Sequence, residues 1–276
     1  MTNETLPTAP ATPEAEAAAL RAAGMRTRRS FLITGALGLA GLGGWRWLVA
    51  QPNVEGLPGP LRKVHEFNAA LSNAYYKNTR LAPEFARSQV QRVRTNGKVG
   101  LGKDFDPAAW RLTVLGYAPA GAAPRRQEFT LEQLKALPRT EMTVEFKCIE
   151  GWSAIVNWAG VRLSDFLARY PLATASGQPA NPAGAPQDLA PYVGLTTPDD
   201  KYYVGIEMES ALHPQTLLCY EMNGQPLTDA HGAPLRLVTP LKYGIKHLKR
   251  MGTMAFTREQ PRDYWAELGY DWHSGH

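Results

Sequence analysis

A chain of 276 residues with 44% hydrophobic and 9% aromatic side chains can fill a sizeable core, which excludes a wholly disordered or fibrous protein. Its net charge of +5 could point to nucleic acid, but residues 1–50 carry five arginines against three glutamates and supply +2 of it, leaving a body only mildly basic. Cys148 and Cys219 are the sole cysteines, which excludes a disulfide framework and any four-cysteine zinc or iron–sulfur site while leaving one bridge between them open.

The first 25 residues are rich in Ala, Thr, Pro and Glu, lack hydrophobic periodicity, and are expected to be disordered. Thr27-Arg28-Arg29-Ser30-Phe31-Leu32-Ile33 then matches the twin-arginine export pattern, an arginine pair ahead of an apolar run. Phe31 to Trp45 gives 15 uncharged residues, and Arg46 interrupts before the roughly 20 apolar residues that a spanning helix needs. Residues 1–50 therefore read as an n-region and a signal or anchor, with cleavage after Ala50 left open. Either outcome puts the body outside the cytoplasm, in the periplasm, with the twin-arginine export machinery as a partner. That route carries folded proteins, often with a cofactor already inserted.

Residues 51–60 (QPNVEGLPGP) read as a linker, and the globular part is expected over residues 61–276. Leu61 to Arg94 is expected to be partly helical or irregular. Trp110 to Tyr117 alternates and stops at a glycine, which predicts a strand. Thr130 to Pro138 has an N-cap threonine, an acidic first turn and leucines at i, i+3 and i+6, which predicts a short helix. A strand over Thr143 to Ile149 would deliver Cys148 to its C-terminal end, and Val161 to Tyr170 repeats the short-helix pattern. After a polar loop over Thr174 to Pro191, strands are expected at Tyr192 to Thr196, Tyr202 to Ile206, Leu217 to Met222, Leu235 to Val238 and Thr253 to Phe256. Asn223-Gly224 and His231-Gly232 supply turns between them. The pattern is a strand-rich α+β domain of mixed sheets and short helices, without a repeat or a phosphate-loop glycine motif.

Cys148-Ile149-Glu150-Gly151-Trp152-Ser153, followed by Trp158-Ala159-Gly160-Val161, resembles the cofactor-binding strand of the sulfite-oxidase superfamily of molybdopterin oxidoreductases. The likeness is strongest to its bacterial periplasmic branch of methionine-sulfoxide reductase catalytic subunits. Tyr192 to Thr197, Ser210 to Pro214, His231 to Arg236 and Pro240 to Lys249 agree in order and spacing.

The resemblance implies a molybdenum-molybdopterin cofactor, its metal held by two dithiolene sulfurs and one protein thiolate, a soft ligand that Cys148 would supply. The bland alternative is a buried inert thiol, and for Cys219, in an apolar strand, that reading stands. The pterin phosphate needs cations and N–H donors. By position in the motifs these would come from His231, Arg236, His247, Leu248 and Lys249, with Lys246 nearby, and Thr197 would contact the cofactor. His231 departs from the reductase branch, which has Asn there, and agrees with the sulfite-oxidising branch. Asn96, in Val93 to Gly97, is placed at the pterin, with Asn73-Ala74-Tyr75-Tyr76 as the alternative segment.

A cofactor of this kind would make the chain an enzyme of oxygen-atom transfer. Sulfite-oxidising members follow the cysteine with cations, whereas Glu150 and Trp152 follow it here, which favours reduction of S-oxides or N-oxides, including methionine sulfoxide in proteins. Trp152 and Trp158 are placed either in an apolar pocket or in the core. Oxidation of sulfite or another small sulfur compound, and a non-catalytic exported binding or assembly protein, stay open. No Cys-x-x-Cys-His motif occurs, so electrons are expected from a membrane haem subunit or a soluble cytochrome. The short tail after the motifs predicts a monomeric catalytic subunit, with no nucleic-acid partner.

Overall fold

The computed structural model describes residues 12–54, 56–75, 80–103 and 105–276. The chain divides into two compact units, Met1–Asn53 with Pro58–Pro60 and Val54–Leu57 with Leu61–His276. The first is built on one helix, α1, Pro13–Val49. Pro13 pre-sets its first turn, Glu14 and Glu16 lie at the positive end of its dipole, and Arg46 lies in the last turn. Residues 13–25, expected to be disordered, are the opening turns of this helix. Their alanine-rich run has the highest intrinsic helix propensity, which needs no hydrophobic periodicity. Residues 1–11 lie outside the described residues. Arg46 ends the uncharged run, yet as one continuous helix Gly24–Val49, Arg46 included, is long and apolar enough to cross a membrane by length and composition alone, and none of its most apolar window is buried.

The expected linker holds two two-residue strands, Asn53–Val54 (β1) and Leu57–Pro58 (β2), and a helix already begins inside it at Gly59. That helix, α2, runs Gly59–Tyr75, and the chain from Arg80 to Trp110 is irregular apart from a short 3₁₀ turn at Arg87–Gln89.

Two five-stranded sheets make the body. Strand β3 (Leu112–Leu115) alternates buried and half-buried positions, as its sequence predicts. It pairs with β4 (Arg126–Phe129), which the sequence left unassigned because three of its four residues are exposed and polar. Helix α3 (Leu131–Lys135) is started by Thr130, whose hydroxyl accepts from the Gln133 N–H while the Gln133 side chain accepts from the Thr130 N–H.

Next come β5 (Arg139–Lys147), beginning four residues before the sequence-predicted start, and β6 (Ser153–Arg162), the longest strand and one the sequence reading missed. β6 lies between β5 and β9 (Leu217–Met222), with seven of its residues buried. A strand covered on both faces reads as a continuous apolar run rather than an alternation. Helix α4 (Leu163–Arg169) follows at once, burying Leu163, Phe166 and Leu167.

β12 (Thr253–Thr257) pairs parallel to β3 and antiparallel to β7 (Tyr192–Thr196), and β7 pairs with β8 (Tyr203–Glu207), so the second sheet runs β4-β3-β12-β7-β8. The short helix α5 (Met208–Ala211) leads from β8 toward β9. The first sheet is completed by β10 (Gln225–Pro226) and β11 (Arg236–Val238), both pairing β9. Asn223 and Gly224, both at positive φ, form the tight β9–β10 turn that the Asn-Gly pair predicts. One apolar cluster includes Leu112, Val114, Phe166, Leu195 and Met254, and a second includes Val144, Val156, Trp158 and Val238. The strand-rich α+β class read from the sequence is the observed one.

Candidate active site

β5 and β6 form one long hairpin, and the turn that closes it carries Cys148. The Cys148 N–H donates to the Trp152 carbonyl at 2.9 Å, and the Gly151 N–H donates to the Cys148 carbonyl at 3.1 Å. Gly151 sits at φ +86°, the left-handed position that a three-residue hairpin loop reserves for glycine. The hairpin thereby fixes the thiol at the wall of a cleft with a volume of 270 Å³.

Four further stretches converge there. Asn96, from the irregular segment before β3, donates from Nδ2 to Glu150 Oε2 at 3.0 Å and stands 3.8 Å from Cys148 Sγ. Glu150 also accepts from Trp152 Nε1 at 3.1 Å, and these two donors, Trp152 first, hold its carboxyl below the usual range. His231 and Lys249 are brought together because Gly232, at φ +93°, lets the backbone of residues 249–250 approach closely. A Cβ at position 232 would stand 2.6 Å from that of Lys249. Lys249 Nζ donates to the carbonyls of Asn96 and Gly97 and so ties the Asn96 segment to the body.

Arg236, first residue of β11, is buried behind them. Its Nη1 donates to the His231 carbonyl at 3.1 Å, its Nη2 to the His247 carbonyl at 3.3 Å, and it stacks 4.8 Å over the Trp158 ring. His247 donates from Nε2 toward the carbonyls of Thr239 and Lys242, edge-on to Phe146 at 5.1 Å.

Burial dominates the electrostatics. It pulls the Arg236 guanidinium down to about 10, which leaves it charged at neutral pH, and pulls Lys249 to about 8, with Arg236 adding repulsion. Burial lowers His231 too, and takes His247 to about 3, so both imidazoles are neutral. Among the described residues Arg236 has no carboxylate in ion-pair range.

Six sequence-predicted residues, Cys148, Asn96, His231, Arg236, His247 and Lys249, line this cleft. Thr197 and Leu248 do not. Thr197 hydrogen-bonds Asp199 and packs behind Gly100, and Leu248 is fully buried in the apolar core. Lys246 is turned away as well, into a buried pair with Asp263. Trp152 and Trp158 both line the cleft, and Trp158 belongs to the core as well. Asn73 lies in α2, its side chain and Tyr76 outside the described residues. Sequence reasoning missed Arg94, Tyr202 and Trp265. Arg94 lay inside the Val93–Gly97 motif, but the other two arrive only through tertiary packing. Cys219 is fully buried, donates to the Glu221 carbonyl, and has its thiol pushed up to about 12, which makes it inert.

A molybdopterin fits these residues. Among the described residues no three His, Cys, Asp or Glu side chains cluster to hold a bare ion, so a metal at the Cys148 thiolate must bring most of its ligands with it. Among the described residues, three of those lining the cleft carry a buried polar atom without a partner: Arg236 Nε, His247 Nδ1 and Trp158 Nε1. Native proteins leave few such atoms, and a polar ligand here would satisfy two donors and one acceptor.

Comparison with known proteins agrees. A family profile described as "Oxidoreductase molybdopterin binding domain" matches residues 99–265. A chain of Azospira oryzae, provisionally named protein-methionine-sulfoxide reductase subunit YedZ1, is 33% identical over 224 residues, 80% of this chain and 78% of its own. The protein-methionine-sulfoxide reductase catalytic subunit MsrP of Xanthomonas campestris is 36% identical over 151 residues, 50% of this chain and 42% of its own. That of Ralstonia nicotianae is 29% identical over 257 residues, 86% of this chain and 71% of its own.

Proposed function

The chain belongs to the molybdopterin-binding oxidoreductase family, a molybdenum-dependent enzyme, and from that premise we propose that it reduces S-oxides, methionine sulfoxide in proteins among them. Cys148 supplies the thiolate ligand. Arg236, His231 and Lys249 supply the cationic and N–H side of the pterin site, His247 Nδ1 an acceptor, and Asn96 a donor beside the thiolate. When bound, the cofactor supplies oxygen-atom transfer coupled to an electron pair: the sulfoxide oxygen leaves as water, taking two protons, and the thioether is released.

One observation carries the choice of substrate. The Glu150 carboxylate, kept ionised by Trp152 and Asn96, stands in the cleft two residues from Cys148. It repels a dianion such as sulfite and leaves a neutral oxide undisturbed, while Trp152 and Phe146, 5.8 Å apart, offer an apolar face to a thioether. Arg94 in the same cleft favours sulfite oxidation as the second reading. Turnover of methionine sulfoxide with a reduced dye, against turnover of sulfite with an oxidised dye, separates the two. Sulfoxide should dominate, and sulfite turnover greater by orders of magnitude would overturn the proposal.

Arg28 and Arg29 ahead of the apolar run support export to the periplasm by the twin-arginine route. Electrons would then come from a membrane haem subunit or a soluble cytochrome. Residues 61–276 act as the catalytic domain.

A further inference from the structure

Helix α2 wears its apolar side outward. The half-buried positions along it include Arg62, His65, Ala69 and Ser72, one face at helical spacing, and Arg62 donates to the Tyr270 carbonyl at 3.3 Å. Val64, Phe67, Leu71 and Tyr75 are 53%, 66%, 47% and 71% exposed, and with Leu61 they form a single stripe about 120° wide. A stripe of that width is what a globular protein turns toward its core. Left facing outward, it marks an interaction surface rather than scattered exposure.

The chain just upstream says what covers it. Gly24–Val49 can cross a membrane, and near its end stand Trp45 and Trp47, both exposed, the residue type that settles at headgroup level. Only residues 50–58 separate that segment from α2, a reach of at most about 30 Å. A bilayer holding the first segment therefore has the second, about 25 Å long, within reach of its surface. Lys63 flanks the stripe, its long stem able to reach the headgroups.

We propose that α2 is an interfacial helix, laying Leu61, Val64, Phe67, Leu71 and Tyr75 on the lipid surface of the membrane in which residues 24–49 are anchored. This goes beyond the catalytic reading and requires that the N-terminal helix be retained. The docked helix fixes how the catalytic body stands on the membrane, which a flexible tether alone would not.

The test uses the full-length chain carrying Phe67→Cys or Leu71→Cys, labelled with an environment-sensitive fluorophore. The native thiols, 8% and 0% exposed, compete little for the reagent. In vesicles of phosphatidylcholine and phosphatidylglycerol with brominated acyl chains, both labels should be quenched about twofold or more relative to one at Glu66→Cys, because an interfacial helix sinks its apolar face roughly 5–10 Å below the headgroups. Labels quenched by aqueous iodide and indifferent to bromine would overturn the proposal. So would shielding that grows with the protein-to-lipid ratio without bromine quenching, which would assign the stripe to a second copy, and so would loss of residues 1–50 from the mature protein. None of these readouts depends on turnover, so failure here leaves the catalytic proposal standing.

Discussion

Replacing Asp263 by alanine should destabilise the body more than almost any other single substitution. Lys246 Nζ lies 2.5 Å from Asp263 Oδ2, and both side chains are 1% exposed. The ammonium also donates to the Gly205 carbonyl at 2.9 Å and sits 4.6 Å from the Trp272 ring centre. The Asp263 carboxylate further accepts from the backbone N–H groups of Gly205, Trp265 and Ala266. Deleting it leaves a buried cation unpaired, which costs about 3–5 kcal/mol. Stranding buried donors adds about 1 kcal/mol each where water cannot reach them. Together, about 4 kcal/mol for the pair and about 2 kcal/mol for the stranded donors, a loss of roughly 6 kcal/mol should lower Tm by about 15 °C in a body of this size. Urea unfolding of the purified chain gives the free energy, and thermal melts give Tm. Removing both charges, as Lys246→Met with Asp263→Asn, should recover most of the loss, since a buried pair is worth little against a well-packed neutral substitute. A loss below about 1 kcal/mol for Asp263→Ala would refute the reasoning, because it would mean that water reaches Lys246.

Three further outcomes follow from the same geometry. Cys148→Ser should abolish turnover and the metal–thiolate absorption band, whereas Cys219→Ala should keep both; elemental analysis and visible spectra of the two variants check this. Arg236→Met should cost the cofactor-free fold little, because the guanidinium is buried without a carboxylate, yet it should cut retained molybdenum per chain by tenfold or more, a loss of at least about 1.4 kcal/mol of binding. Acid should weaken the fold early: burial holds His247 at about 3 and His273 at about 4, against 6.5 unfolded. Between about pH 6.5 and 4 the unfolded chain binds protons that the folded chain refuses, so their contribution is whole above pH 6.5 and drains away as pH falls. Chemical unfolding at pH 7.5, 6 and 4.5 measures it, and His247→Gln should flatten the slope.

What the sequence could reveal depended on how each residue's neighbours are supplied. β7 and β9 were legible to the residue because one runs as a clean alternation and the other ends on an Asn-Gly turn. β6 was not, since seven of its ten residues are buried, covering both faces, and no polar face remains to mark the period. The start of α1 was misread for the opposite reason: propensity alone builds it, with no face to bury. At the site, Cys148, Arg236 and Lys249 came from motif order, but the direction of a side chain within a motif did not. Lys246 and Lys249 belong to one basic run. The 3₁₀ turn at Gly244–Lys246 buries the first against Asp263 and sends the second to Asn96. Glu150 could be named but not aimed until the turn geometry placed it against Trp152.

The distribution of buried cations ties stability to function. Lys242 pairs with Glu207, Lys246 with Asp263 and Arg250 with Asp229, each supported by a backbone carbonyl. Among the described residues Arg236 stands apart, held by carbonyls and a ring face without a carboxylate. An apolar side chain of similar size would remove the cost of burying a charge there while stranding two carbonyls at about 1 kcal/mol each, so folding alone gives little reason for a cation at that place. Its unsatisfied Nε, the bare Nδ1 of His247 and the Trp158 Nε1 all border one cleft, the cleft that the Cys148 hairpin closes. The fold therefore concentrates its unmet polar demand where an anionic, hydrogen-bonding ligand would meet it. A ligand bound only to the native state raises stability by RT ln(1 + [L]/Kd), about 4 kcal/mol at a thousandfold excess over Kd, and part of that gain should pass through these three side chains beside the Cys148 thiolate.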